Sequence, residues 1–189
     1  LSLRVARAVD NQNSNEDERS FARISTAISK YWVTKRAPYL VFEALECHGG
    51  PGYIEESIMP RLYREAPLNS IWEGSGNIMC LDVLRALQRD KNALPALFKE
   101  LASAKGSNKN FDENFIQLKE TLEDRRDIEI EARLLTEKMA CLIQASIFIK
   151  SEQEEKASAF CNSRLGPQWS GAFGTLPNET NFENIINGF

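Results

Sequence analysis

Residues 46–85 read ECHGGPGYIEESIMPRLYREAPLNSIWEGSGNIMCLDVLR, and this stretch decides the fold of the chain. Groups of glycine and proline interrupt it at residues 49–52, at Pro60 and Pro67, and at residues 74–76. Glycine and proline break helices, yet apolar residues follow each group at helical spacing. The stretch therefore predicts tight turns between helices. Because no segment of the chain alternates polar and apolar residues over a useful length, we expect an all-α fold.

The last of these turns carries an acidic residue, Glu73, between Trp72 and Gly74. A carboxylate beside a large aromatic ring, on a turn that opens a helix, is expected to have a raised pKa and a rigid position. Both properties suit a general base. The alternative interpretation is that these three residues only cap the helix, which is the commoner role of such a turn.

The motifs of this stretch resemble those of the C-terminal helical domain of the acyl-CoA dehydrogenases. That family shows a Gln-x-x-Gly-Gly-x-Gly-Tyr/Phe turn, then an Arg-Asp-like pair, then a Tyr-Glu-Gly-Thr turn. Here the first turn occupies residues 46–53, the pair is Arg64 and Glu65, and the last turn occupies residues 72–75. The longer string around the last two motifs is similar to the AidB-like branch of the family in particular.

The resemblance implies an antiparallel helical bundle, like the acyl-CoA dehydrogenase C-terminal domain, at residues 1–90. It also implies a helical C-terminal extension with an irregular tail at residues 91–189, because the AidB-like branch carries such an extension. The sequence begins at Leu1, already inside a helical pattern. We therefore expect the chain to be an excerpt from a longer protein.

The implied activity is the FAD-dependent α,β-dehydrogenation of an acyl-CoA thioester. By motif position Glu73 is the base that takes the α-proton, although some family members place their base on an earlier helix. The cofactor contacts implied by the family are Glu46, Gly50, Ser75 and Asn77. Glu46 stands where the family has Gln, and a carboxylate cannot donate a hydrogen bond and repels a pyrophosphate. Gly50 is therefore the better candidate of that turn.

The resemblance also implies partners: an acyl-CoA substrate and further copies of the same chain, as a dimer or a tetramer. The expected location is intracellular, in the cytoplasm or in mitochondria. The second candidate function is a flavin-containing protein that binds acyl-CoA or DNA with little turnover. The third is a helical interaction module, if the chain is complete. By itself the chain is expected to hold no flavin and to be inactive, since the family's β-domain is absent from this sequence.

Composition excludes several other classes of site. The chain has 189 residues and a formal net charge of −4. Its four cysteines form no CxxC pair and its one histidine is His48, so we expect no zinc site and buried thiols in a reducing compartment. No run approaches the roughly 18 apolar residues that a membrane-spanning helix needs.

A long helix is predicted before the central stretch. Asn15 can cap it, three acidic residues fill its first turn, and Pro38 is expected to kink it. Two basic residues within it, Lys35 and Arg36, have two interpretations. They lie on a solvated face, or they contact a phosphate of FAD or CoA.

Shorter helices are predicted after it. We expect one that is broken around Pro60 and turns Leu62 and Tyr63 inward, and an amphipathic one from Asn77. In residues 91–189, apolar stripes at helical spacing predict four further helices whose stripes form core. The tail from residue 166 carries isolated aromatics such as Trp169 and Phe189, and it packs as an irregular strap or is disordered.

The charge balance of the extension argues against DNA as a partner. Residues 91–189 contain twelve basic and fifteen acidic side chains, a balance of −3. Duplex DNA is bound by clustered Lys and Arg that replace condensed counterions. DNA binding thus remains possible only through a local basic face.

We predict that the chain binds a labelled DNA duplex weakly or not at all at physiological salt, as measured by fluorescence anisotropy. Tight binding that weakens steeply as salt is raised would contradict this prediction.

Overall fold

The computed structural model describes residues 1–124, 128–167 and 171–187. These described residues contain helices and no strand, which confirms the all-α prediction. Trp169 and Phe189, two of the tail aromatics noted above, lie outside the described residues. Within the described part of the chain, no helix combines the length and the apolar character needed to cross a membrane.

The helices follow one another with short connections, and a 3₁₀ helix at Ala66–Ser70 continues the fourth of them. In chain order they are α1 (Ser2–Asn11), α2 (Glu16–Cys47), α3 (Gly50–Tyr53), α4 (Met59–Glu65), α5 (Gly76–Arg89), α6 (Ala93–Ala102), α7 (Lys109–Asp124), α8 (Ala132–Lys150), α9 (Glu154–Arg164) and α10 (Phe182–Asn187).

Helix α2 is the axis of the fold and contacts α1, α4, α5, α6, α8 and the 3₁₀ helix. The Asn15 side chain caps it as predicted, since its Oδ1 accepts a hydrogen bond from the Glu18 backbone N–H at 3.2 Å. The helix continues through Pro38 to Cys47. Its buried side chains are concentrated before Val33, and Leu45 is the one buried residue after that point. The second half of α2 is therefore largely uncovered.

One hydrophobic core joins the helices of residues 1–90 to those of the extension. Buried side chains of α2 pack in the same cluster as buried side chains of α6, α7, α8 and α9. The prediction that the extension's apolar stripes form core is confirmed. Its fully buried members include Leu97, Leu101, Phe111, Leu118, Met139, Leu142 and Ile143. Burial of such a side chain contributes about 1.5–3 kcal/mol, so the extension stabilises α2 directly.

The prediction for the segment around Pro60 was wrong. Pro60 lies in the first turn of α4, where its missing N–H leaves no hydrogen bond unmade, so it begins the helix. Leu62 and Tyr63 were expected to face inward but are 41% and 43% exposed. The short α4 buries Met59 and Pro60 instead.

The described part of the tail returns to α2 through Arg36. Its Nη1 donates a hydrogen bond to the Gly171 carbonyl oxygen at 3.0 Å, and its guanidinium carbon lies 4.6 Å from the centre of the Phe173 ring. It also lies 5.7 Å from the centre of the Trp32 ring. Arg36 is therefore engaged within the chain, and of the two interpretations the phosphate contact is left to Lys35.

A network of charged side chains joins helices α1, α2, α6 and α8. Arg4 of α1 donates to Glu18 of α2 at 2.8 Å and to Glu100 of α6 at 2.9 Å, while Lys150 of α8 also donates to Glu100. The Arg4 guanidinium lies 4.3 Å from the centre of the Phe21 ring. Burial alone would raise the pKa of the Glu100 carboxyl, but the hydrogen bonds from Arg4 and Lys150 outweigh it and hold that pKa below its ordinary value.

We predict that Glu100→Gln lowers the free energy of unfolding at pH 7 by about 1–3 kcal/mol, because it removes the negative charge and one of the two oxygens that accept hydrogen bonds from the half-buried Arg4 and Lys150. A carboxyl with a lowered pKa stabilises the fold above its ordinary value of 4.5 and loses that contribution as pH falls through the folded-state pKa. The difference between the two proteins in urea denaturation should therefore shrink below pH 4.5.

The matched control is Asp17→Asn, whose partner Lys99 is exposed. Exposed ion pairs contribute little, so this variant should unfold like the wild type. An equal loss of stability in both variants, or a difference independent of pH, would contradict the assigned role of Glu100.

Candidate functional site

Exposed apolar side chains are concentrated around the central stretch. Twelve large ones lie between residues 39 and 78, and we call them the exposed apolar set: Tyr39, Leu40, Phe42, Tyr53, Ile54, Ile58, Leu62, Tyr63, Leu68, Ile71, Trp72 and Ile78. Exposed apolar surface of this extent marks an interaction site. The candidate site residues lie on two turns within this set.

The first turn follows the end of α2. Glu46 and Gly50 are both exposed. A Cβ atom built on Gly50 meets no atom within 4 Å, whereas one on Gly52 would lie 2.2 Å from the Leu45 carbonyl oxygen. The packing of the chain itself therefore requires a glycine at position 52. At position 50 it does not, and the backbone there is open to a group from outside.

The second turn connects the 3₁₀ helix to α5 and carries Glu73 in an unusual backbone conformation. Glu73 has a φ of 51° and Gly74 a φ of 109°. Glycine adopts positive φ readily, but a residue with a Cβ pays for it, by about 1–2 kcal/mol in the left-handed helical region. Strain of this kind is concentrated at functional sites.

The environment of Glu73 differs from the one expected. Glu73 is exposed, and Trp72 is 56% exposed, so the described residues form no apolar pocket around the carboxylate. Lys30 of α2 contacts the turn, and its Nζ donates hydrogen bonds to the carbonyl oxygens of Trp72 and Gly74, each at 2.5 Å. Sequence analysis missed Lys30 because its partners lie more than forty residues further along the chain.

The same turn opens α5 with the two remaining candidates. Ser75 is the N-cap residue, is exposed, and makes no side-chain cap hydrogen bond. Asn77 is exposed as well, and its Oδ1 accepts a hydrogen bond at 2.6 Å from Nε of Arg133 in α8. Lys35 of α2 lies against this point, since a Cβ on Gly76 would come within 2.6 Å of its Cε. Arg133 was not singled out in the sequence because it belongs to the extension.

The two turns are far apart along α2. Along α2, the second turn lies beside Lys30, and the first turn lies beside Glu46. Sixteen residues of helix separate them, a length of about 24 Å at 1.5 Å per residue. The structure brings Glu73, Ser75 and Asn77 together on one turn and leaves Glu46 and Gly50 on the other.

Three of the four cysteines are buried and supply no nucleophile, whereas Cys47 at the end of α2 is exposed, so the expectation of buried thiols was wrong for that residue. Burial raises the pKa of Cys141 to about 12 and that of Cys161 to about 11, and it also raises the pKa of Cys80. These thiols remain protonated and behave as small apolar side chains. Among the described residues, no group of three or more His, Cys, Asp or Glu side chains is arranged to hold a metal ion.

The fold and the site together define a helical-bundle domain. It presents the first turn, with Gly50, and the second turn, with Glu73, beside the exposed apolar set. Residues 1–88 match the family model described as acyl-CoA dehydrogenase, C-terminal domain, and the chain carries that domain.

Two relatives and one solved structure are similar over more of the chain. It is 40% identical to AidB of Escherichia coli strain K12 over 165 residues, which are 87% of this chain and 30% of AidB. It is 37% identical to acyl-CoA dehydrogenase family member 11 of Caenorhabditis elegans over 110 residues, 58% of this chain and 18% of that protein. The crystal structure of C. elegans ACDH-11 in complex with C11-CoA superposes with a TM-score of 0.73 at 25% identity, over 86% of this chain and 31% of that one.

We predict that Glu73→Gly leaves the free energy of unfolding unchanged or raises it by up to about 1.6 kcal/mol. Relief of the positive φ is worth about 1–2 kcal/mol, and the added freedom of glycine in the unfolded chain costs about 0.4–1 kcal/mol. Chemical denaturation of the purified chain measures the difference.

The control is Glu120→Gly on the exposed face of α7. There a glycine should lower stability by about 1 kcal/mol. If the two variants lose the same stability, the backbone at Glu73 is not held at positive φ in solution.

Proposed function

We propose that this chain is the C-terminal helical part of an FAD-dependent acyl-CoA dehydrogenase and that Glu73 is its proton-abstracting base. The observation that carries the proposal is the second turn, in which an exposed carboxylate is held at positive φ next to the exposed apolar set. The similarity to an acyl-CoA dehydrogenase family member and the C11-CoA bound to ACDH-11 support the reaction class and the substrate class.

The chemistry follows from the properties of a thioester. Its α-proton is acidic enough to be taken by a carboxylate that is close, oriented and shielded from water. Bound FAD supplies the acceptor for the hydride that leaves the β-carbon. Glu73 receives the α-proton on a carboxylate oxygen, so that a double bond forms between the α- and β-carbons.

The residues at the two turns fit FAD in part. Ser75 and Asn77 offer short polar side chains at the start of α5, where backbone N–H groups attract a phosphate or another electronegative group. Gly50 lets such a group approach the backbone. Glu46 does not fit, because its carboxylate repels a pyrophosphate and cannot donate a hydrogen bond. We therefore assign the cofactor contacts to Gly50, Ser75 and Asn77 and give Glu46 no part in holding the phosphates.

The proposal also assigns a role to each of the two parts of the chain. Residues 1–90 form one wall of a flavin and acyl-CoA pocket, and residues 91–189 support that wall as a helical extension. The exposed apolar set is then covered by the rest of the enzyme and by further copies in a dimer or tetramer. The two turns lie about 24 Å apart along α2, and the resemblance to the family implies that they serve different flavins across a subunit interface.

The second candidate is a flavin-containing protein that binds acyl-CoA or DNA with little turnover. Glu46 is the observation that favours it, since it stands where the family has Gln and so alters a flavin contact that the family uses in turnover. The two candidates differ in whether acyl-CoA reduces the flavin at a catalytically useful rate, and one experiment separates them.

We predict that Glu73→Gln slows reduction of the bound flavin by acyl-CoA by about 10²–10⁴-fold, the usual contribution of a general base. Rapid mixing without oxygen, with the intact flavoprotein and acyl-CoAs of several chain lengths, measures the rate. The flavin content should not change, because the amide keeps the size of the carboxylate.

Glu120→Gln, on the exposed face of α7, is the matched control and should reduce its flavin like the wild type. Equal rates in the wild type and Glu73→Gln would place the base elsewhere. Absence of flavin reduction in the wild type itself would favour the second candidate.

We further predict that the 189-residue chain alone retains no FAD after desalting, as judged by absorbance in the flavin band. Its contacts are exposed, lie on two separate turns and contribute a net ~0.5–1.5 kcal/mol each. Immobilising a free ligand costs about 4–15 kcal/mol. Recovery of one flavin per chain would contradict this prediction and show that the chain forms a complete flavin-binding site by itself.

A further inference from the structure

We propose that Lys30 is the positioning residue of Glu73, and that its ammonium group fixes the backbone conformation from which the carboxylate acts. The consequence for catalysis rests on the proposed function of Glu73. The structural part, in which Lys30 fixes the turn, does not depend on it and is tested separately.

The geometry of the turn is the first argument. Lys30 Nζ donates to the carbonyl oxygens of Trp72 and Gly74, the residues on either side of Glu73, at 2.5 Å each. One cation thus holds two carbonyl groups of the same turn at hydrogen-bond distance. The φ and ψ torsions of Glu73, followed by those of Gly74, lie between these two carbonyls, so holding both carbonyls restricts the torsions of Glu73 and Gly74 together.

The second argument is that an outside restraint favours this conformation. A residue with a side chain does not favour a φ of 51° by itself, so contacts that hold the turn help to keep Glu73 there. Gly74 at a φ of 109° lets the chain continue into α5, but a glycine is flexible and holds nothing. The bond from α2 supplies the restraint because α2 is itself anchored in the core.

The third argument is how the charge of Lys30 is used. No ion pair found among the described residues includes Lys30. An ammonium group has three donors and no acceptor, and here at least two of the donors are committed to backbone carbonyls. The positive charge therefore stabilises the fold of the turn.

The first experiment uses the 189-residue chain and nuclear magnetic resonance. The coupling between the amide and α protons of Glu73, with its ¹³Cα and ¹³Cβ chemical shifts, reports the sign of φ. In Lys30→Met we expect Glu73 to lose its positive-φ signature and the amide protons of Gly74 and Ser75 to exchange at least tenfold faster. Lys30→Arg, which keeps a donor fork of the same charge, should retain both features.

Lys91→Met is the control for loss of charge, since Lys91 is exposed and follows the other end of α5. It should leave the spectrum of the turn unchanged. Retention of the positive-φ signature at Glu73 in Lys30→Met would overturn the proposal, whatever the activity of the enzyme. So would equal changes in Lys30→Met and Lys91→Met.

The second experiment measures flavin reduction by acyl-CoA in the intact flavoprotein. Lys30→Met should reduce its flavin 10–100-fold more slowly with flavin content and acyl-CoA affinity within twofold of wild type, because misplacing a catalytic group by about 1 Å costs about 10²-fold. Lys30→Arg should recover most of the rate. The double variant with Glu73→Gln should be no slower than Glu73→Gln alone, since Lys30 acts through Glu73.

The outcomes distinguish the two claims. If Glu73→Gln reduces its flavin at the wild-type rate, the proposed base is wrong, and the spectrum of Lys30→Met still decides whether Lys30 fixes the turn. If Glu73→Gln is slow and Lys30→Met is fast, the base stands and the positioning role is overturned. Additive losses in the double variant would likewise overturn it, since Lys30 would then act by another route.

Discussion

The packing of α2 is the constraint on which the rest of the structure depends. Its first half is buried on one face against α1, α5, α6 and α8, while after Trp32 the chain buries only Leu45. The two halves of α2 therefore have different roles. The anchored half fixes the position of Lys30, and the uncovered half carries exposed apolar side chains toward the glycine turn. The positions of both candidate turns therefore depend on the same helix, α2.

Much of this arrangement could be predicted from the sequence, for local reasons. Asn15 followed by three acidic residues specifies a helix start within one turn, and the apolar spacing of residues 91–189 specifies which side chains are buried. Pro60 shows the limit of the same reasoning. A proline breaks a helix interior but begins a helix equally well, and only the partners of Leu62 and Tyr63 decide which side of a short helix faces inward.

The features of the site that were missed are long-range. The contact of Lys30 with the Trp72 carbonyl and that of Arg133 with Asn77 join residues that are 42 and 56 positions apart. Neither side chain belongs to a sequence motif, because a lysine that serves backbone carbonyls leaves no pattern of residue types. The positive φ of Glu73 is hidden for a related reason. A Glu-Gly pair is compatible with several turns, and the tertiary contact selects among them.

The position of the acid explains why the turn has this construction. Glycine at position 73 would adopt the backbone conformation without strain, so the side chain of Glu73 is retained against a local energetic preference. Such departures are concentrated at functional sites, but the exposed Glu152 also has a positive φ, of 58°, so the conformation of Glu73 acquires meaning only together with its position in the motif. The compensation lies within the chain, since one lysine from a core-anchored helix binds the carbonyls on both sides of the strained residue. Residues from the extension bury that helix, so the segment most distant in sequence from the acid supports the conformation in which the acid is held.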